Sequence, residues 1–275
     1  MNPVTEYRQS LVDAGFSADE ADRIVRWRAV NREQKSGRIV AQADGNGEGE
    51  LLIYEAIGFD PWEGGGFTPK NLVEQLAALG PISRLTVRIN SGGGSVFDGF
   101  TILNILRRQE AKISVEIEGL AASAASFIAQ AASPGELRIS DAGMMMIHDA
   151  QAAVMGSAKD MIDMASTLEK LDGQIADIYA ARSGRRSATW RDLMDKESWF
   201  TGAEAVDAKL ADKVIKTKRA AACIDPAIVA TFRNAPADWL AKQEAAKAEA
   251  EQREREEAAE VEVRLRLLEL EGAAK

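Results

Sequence analysis

The chain reads as an α/β protein on a mainly parallel sheet, with helical extensions at both ends. Three observations predict this. From Leu51 onward, short apolar strand-like runs alternate with helix-like segments. The turns after two of the strands, at Asn90 and Gly119, are rich in Gly, Ser and Ala, where reactive loops of an open parallel sheet belong. Residues 236–273 are dominated by Ala, Glu, Lys, Arg and Leu, a composition of long exposed helices or coiled coils.

Taken in order, residues 1–35 carry two helical segments. The second opens at Ser17-Ala18-Asp19-Glu20, which matches a capping box, ahead of Ile24, Val25 and Trp27. Asp44-Gly45-Asn46-Gly47-Glu48-Gly49 reads as a linker, so residues 1–45 form an N-terminal extension, either a docking or removable segment or a solvated helical hairpin. A strand follows at Leu51. Next come a helix with Thr68 as N-cap and Pro69 at its first position, ending at Leu79, and a strand from Leu85 to Asn90. A helix from Val96 to Arg108, a strand from Ile113 to Ile117 and an Ala-rich helix around Ser123 continue the alternation. Short strands at Glu136–Ile139 and at Met144–His148 precede a long helix from Ser157 to Arg182, with Met161, Met164, Leu168, Leu171 and Ile175 at helical spacing. The main domain is expected to span residues 46–216 and a charged tail residues 217–275. Within the tail, Val261, Val263, Leu265 and Leu267 alternate like a strand, but good helix formers on both sides favour helix.

Composition narrows the function. Of 275 residues, 46% are hydrophobic, enough for one sizeable core plus appendages. With 34 basic against 43 acidic residues, the net charge of −9 disfavours a phosphate-neutralising surface, so nucleic acid is not an expected partner. One Cys and one His exclude a disulfide framework or an ordinary zinc site; a cytoplasmic protein without metal or cofactor is expected. The most apolar run, Leu120 to Ala132, is too short and too rich in Ala and Ser to cross a bilayer, and residues 1–30 contain no signal-peptide-like segment.

The chemistry concentrates in three places. Ser123, in Gly119-Leu120-Ala121-Ala122-Ser123-Ala124-Ala125-Ser126, stands where a buried strand gives way to a helix, so unpaired N–H groups face any oxygen bound there. The single histidine, His148, ends the apolar run Met144-Met145-Met146-Ile147, placing it at a strand end where it can meet Ser123 as a neutral base. Ser91-Gly92-Gly93-Gly94-Ser95 is a loop whose glycines let the backbone approach a ligand N–H first; no Gly-Lys-Ser/Thr follows, so it is not a P-loop. Ser126, one helical turn after Ser123, is read as a packing residue.

Ile89-Asn90-Ser91-Gly92-Gly93-Gly94, Gly119 to Ser123, Met146-Ile147-His148, and Trp199-Phe200-Thr201-Gly202-Ala203-Glu204-Ala205 with Leu210-Ala211-Asp212 come in the order and spacing of the Clp protease proteolytic subunit. Over residues 50–216 the chain resembles that family, and most of all its phage and prophage head-maturation members. The resemblance implies the ββα superhelix shared by Clp proteases and crotonases, in a homo-oligomeric ring that uses the long helix as its handle. It implies Ser123 as nucleophile, His148 as base, and the N–H groups of Gly93 and Ala124 as the oxyanion hole. Where the family's housekeeping members carry the third triad residue, this chain has Leu193, flanked by Asp192 and Asp195; Asp195, near the end of a short helix, is favoured, and Asp149 is disfavoured because adjacent strand residues face opposite ways. Gly92 stands where those enzymes usually have Pro. Expected substrates are capsid or scaffold polypeptides, recruited through the charged tail, and any ATP-dependent unfoldase would be a separate chain. Competing readings are a crotonase-like acyl-CoA enzyme, a catalytically idle assembly module, and a Ser–Lys variant with Lys159 as base.

Overall fold

A computed structural model describes residues 47–54, 56–58, 66–216 and 232–241, with residues 9, 12, 42, 43, 229, 245, 248 and 252 besides. The helix expected at 17–35 and the ambiguous run at 261–268 lie outside the described residues. Among the described residues, eight strands form one sheet. Its main path runs β1 (Gln42–Ala43), β2 (Glu48–Ile53), β3 (Arg84–Ser91), β4 (Lys112–Ala122), β5 (Leu137–Ser140) and β8 (Lys213–Ile215). Every pairing on this path is parallel except β1 with β2. The sheet therefore starts before the expected boundary at 45, and Glu48 and Gly49 are strand rather than linker.

The connections are α1 (Pro69–Leu79), α2 (Val96–Arg107), α3 (Ala124–Ile128), α4 (Ala158–Ser183), α5 (Ser187–Asp195) and α6 (Gly202–Asp207). Thr68 caps α1 as predicted, and does so through a capping box, its hydroxyl accepting the Asn71 N–H at 3.2 Å. Leu51, Ile53, Leu85, Val87, Ile89, Val115 and Ile117 alternate along β2 to β4 and are all fully buried, forming the core under α1 and α2. The intervening positions do not repeat this on the other face. Arg88 lies 3.4 Å and Arg138 2.9 Å from Glu116 across neighbouring strands, and Arg138 is also 3.0 Å from Glu136, two residues earlier in the chain, so ion pairs ladder this face. Its hydrogen bond with Lys112 is the main reason the Glu136 carboxyl is held down at about 2. This strict alternation is unusual for parallel strands, which are commonly buried on both faces.

The decisive feature is that β4 changes partners. Val115–Ile117 pair with β5, whereas Leu120–Ala122 pair in parallel with β6 (Met144–Ile147), which in turn runs antiparallel to β7 (Ser198–Thr201). The stretch expected as the start of an Ala-rich helix is thus strand up to Ala122, and α3 is five residues long. Alanine's helix propensity is a few tenths of a kcal/mol per residue, and sheet pairing with a fully buried β6 overrides it.

The long helix starts where expected, at Ser157, whose side chain forms a capping box with Asp160, and stops at Gly184. Its apolar stripe is covered only from Asp172 onward; Met161 and Ile162 remain 52% and 69% exposed. The first compact unit extends to Ala235, beyond the expected close at 216, because Val229 is fully buried and Phe232 packs on side chains of the main domain. Residues 236–275 form a second unit, with described residues 237–241 helical. No described helix is long and apolar enough to cross a membrane.

Candidate active site

Ser123 links β4 to α3 with φ 52° and ψ −124°, a conformation that costs a non-glycine residue about 1–3 kcal/mol. Its N–H donates to the Met146 carbonyl at 3.0 Å, which pins the turn to β6. The hydroxyl stands partly exposed between buried Ala122 and Ala124. Such a strained strand-to-helix turn presents a side chain that a relaxed turn would let swing away.

β6 ends at Ile147, and the next residue brings its ring to the serine: His148 Nε2 and Ser123 Oγ are 2.8 Å apart. Burial holds the imidazole below its ordinary value; the Glu197 carboxylate acts against this and the Arg233 guanidinium with it. Burial thus favours the neutral ring, the form able to accept the serine proton. Gln151 Nε2 lies 3.4 Å from Nδ1 on the far side.

The glycine loop closes on the same turn. Gly93 has φ 93°, and a Cβ there would lie 2.6 Å from Ser123 Cβ and 2.9 Å from Ala124 N, so only glycine fits. The loop is held by the Ile57 N–H, which donates to the Gly93 carbonyl at 2.8 Å, and by Asn90 Oδ1, which accepts the Leu120 N–H at 3.0 Å where the β3–β4 register shifts. The Gly93 N–H itself meets Ser91 Oγ at 3.2 Å, a long bond that an incoming oxyanion would have to displace. The Ala124 N–H opens α3, where no preceding turn supplies a carbonyl. With so short a helix, this single donor matters more than any macrodipole. Gly93→Ala, by strain and by clash with Ser123, should lower kcat about 10²-fold or more while the protein still folds, measured by peptide hydrolysis beside thermal melting.

The third expected member is not brought in. Asp195 ends α5 as an exposed carboxylate whose charge raises the Asp149 carboxyl rather than meeting the imidazole; burial is the larger cause of that rise. Among the described residues the ring's hydrogen-bond partners are Ser123 and Gln151. Asp192 is exposed as well. Asp149 sits 3.7 Å from Arg191, which pairs with buried Asp172 at 3.0 Å. The acid whose charge reaches His148 is Glu197, buried two residues past α5 with φ 49°. A left-handed residue reverses the chain and turns its side chain inward, which spacing from the Glu204-Ala205 motif did not signal. Ser126 is a packing group: fully buried, it donates to the Ser123 carbonyl at 2.5 Å and shares a bond with Tyr179 Oη at 2.6 Å. Lys159 pairs with Asp163 at 2.5 Å on the exposed first turns of α4, whereas the base candidate at the Ser123 hydroxyl is His148.

Three of the curated relatives that this chain matches are Clp proteolytic subunits. ATP-dependent Clp protease proteolytic subunit 1 of Protochlamydia amoebophila is 31% identical over 131 residues, 47% of this chain and 64% of that protein. Proteolytic subunit 3 of Rhodococcus jostii is 32% identical over 143 residues, 52% of this chain and 70% of that protein. Subunit 2 of the same organism is 28% identical over 140 residues, covering 51% and 72%. The chain thus spans just under two thirds of the first relative's length. The family described as Clp protease matches residues 67–218, more than half of the chain, and so this protein belongs to the Clp protease family, a family of serine-type endopeptidases.

Proposed function

We propose that this chain is itself a serine endopeptidase, in which Ser123 attacks the peptide carbonyl and His148 takes its proton and passes it to the leaving amine. Water then releases the acyl-enzyme by the same route. Gly93 and Ala124 N–H groups receive the developing oxyanion. The observation that carries this reading is the 2.8 Å contact between Ser123 Oγ and Nε2 of the half-buried His148 ring, whose neutral form burial favours. A crotonase-type enolate site or an idle module would not need it. Mass spectrometry after treatment with a fluorophosphonate tests the reading: a single adduct on Ser123 is expected, and an unlabelled or Ser126-labelled protein overturns it.

The finer reading is a phage or prophage head-maturation protease that acts as a homo-oligomeric ring on capsid or scaffold polypeptides. It rests on the charged, helix-forming composition of residues 236–273, outside the family match and in a separate compact unit. The cut that tests it falls at Pro236, not at 217. Removal of 236–275 should leave hydrolysis of a small peptide near its full rate and abolish co-assembly with scaffold subunits in a sedimentation assay. Loss of peptide hydrolysis would show that the tail serves the core. Asp195→Asn and Asp192→Asn should each cost less than tenfold in kcat, against about 10⁴-fold for a carboxylate that fixes the base's tautomer.

A further inference from the structure

The turn that follows the family-like region reaches back to the imidazole. Phe232 packs edge-on against His148, ring centroids 5.9 Å apart at 76°, and edge-on against Trp199 at 5.6 Å and 73°. The turn is anchored on one side by Val229, fully buried, whose carbonyl accepts the Phe232 N–H at 3.1 Å. On the other side Glu197 clasps it: the carboxylate accepts the Arg233 N–H at 3.0 Å and the Asn234 N–H at 2.6 Å, while Asn234 Nδ2 donates to the Lys196 carbonyl at 2.8 Å. Trp199 Nε1 adds a longer bond to the same carboxylate at 3.4 Å. A buried acid that turns inward at a left-handed residue and is satisfied by two backbone N–H groups is a designed attachment point.

We propose that this clasped turn is part of the active site, and that Phe232 is a positioning residue that walls one side of the His148 ring and holds it toward Ser123. The proposal rests on the peptidase reading for its kinetic arm but not for its structural one. An edge-on aromatic contact limits rotation of the imidazole and keeps water from its face. With Gln151, exposed and 3.4 Å away, as the other neighbour of the ring, the apolar wall supplies orientation that a triad carboxylate supplies elsewhere. The charged groups around the ring are Glu197 and Arg233, with Asp149 next in sequence tied to Arg191 and Asp172.

The test uses the full chain and its one histidine, whose labelled ring gives a single titration signal by NMR. Phe232→Ala opens the wall. Asn234→Pro instead removes one clasping N–H, leaving Phe232 and every charge in place. Both variants should move the His148 midpoint upward, toward the ordinary value of about 6.5, and move the pH–rate midpoint with it. Both should lower kcat about tenfold with KM little changed, and Phe232→Leu, which keeps an apolar wall, should recover most of both readouts. An unmoved midpoint with unmoved kcat in both variants overturns the proposal. A rise in peptide turnover also overturns it, since the turn would then be a lid over the site. If the native protein neither hydrolyses peptide nor takes the fluorophosphonate, the peptidase reading fails, and the NMR arm still decides whether the turn covers the ring.

Discussion

Ser123→Ala should abolish peptide hydrolysis and fluorophosphonate labelling, a loss of about 10⁴- to 10⁶-fold in kcat, while melting temperature and oligomeric state stay as they were. The hydroxyl bonds to His148, and the turn is fixed by backbone groups, above all the Ser123 N–H to the Met146 carbonyl. Alanine keeps that framework and also the strain of φ 52°. Ser123→Gly should then be equally inactive yet more stable, because glycine adopts a positive φ without the penalty; a gain of about 1 kcal/mol remains after its greater unfolded-state entropy. That gain corresponds to a rise of a few degrees in melting temperature by calorimetry. If Ser126→Ala is inactive and Ser123→Ala is not, the nucleophile is misassigned. If Ser123→Gly is destabilised, the turn is not strained as its dihedrals indicate.

His148→Ala should be as damaging, and the native enzyme's rate should rise with pH through a midpoint below the ordinary 6.5 of a free imidazole. The direction follows from burial, the largest influence on the ring; Glu197 opposes it and Arg233 reinforces it. No second histidine blurs the profile. The same shift has a consequence for stability. The unfolded chain binds a proton at His148 more readily than the folded one, so acidification through about 6.5 pulls the equilibrium toward unfolding. The contribution of this group is whole above that value and falls away below it. A rate profile with its midpoint above 7, or one flat from pH 5 to 8 with chemistry rate-limiting, would remove His148 as the base.

Much of the site was legible in the chain because its parts are local. A serine at a strand-to-helix junction, a triple glycine after an alternating strand and a lone histidine at the end of an apolar run each carry their signal within about six residues. The pairing of Ser123 with His148 also followed, since two strand ends 25 residues apart, with one short strand between, share a sheet edge. Asp195 was favoured on spacing, and the structure leaves it exposed for a reason that spacing does not contain. The turn after α5 passes through a left-handed residue, Glu197, and this inverts which carboxylate faces inward. Phe232 lay further out of reach: it falls beyond the last of the motifs, and its partner is His148, far off in sequence.

By itself the sequence determined the α/β class, the sheet's mainly parallel sense, the N-cap of α1, and which serine and histidine stand at neighbouring strand ends, because period, capping residues and backbone freedom are properties of neighbouring residues. Only the tertiary structure decided the rest. That β4 trades β5 for β6 at Leu120, that its last residues are strand despite their alanines, and that the main unit closes at Ala235 around Val229 all depend on contacts between distant segments. Burial against such segments is worth more than local propensity, and no window along the chain records it.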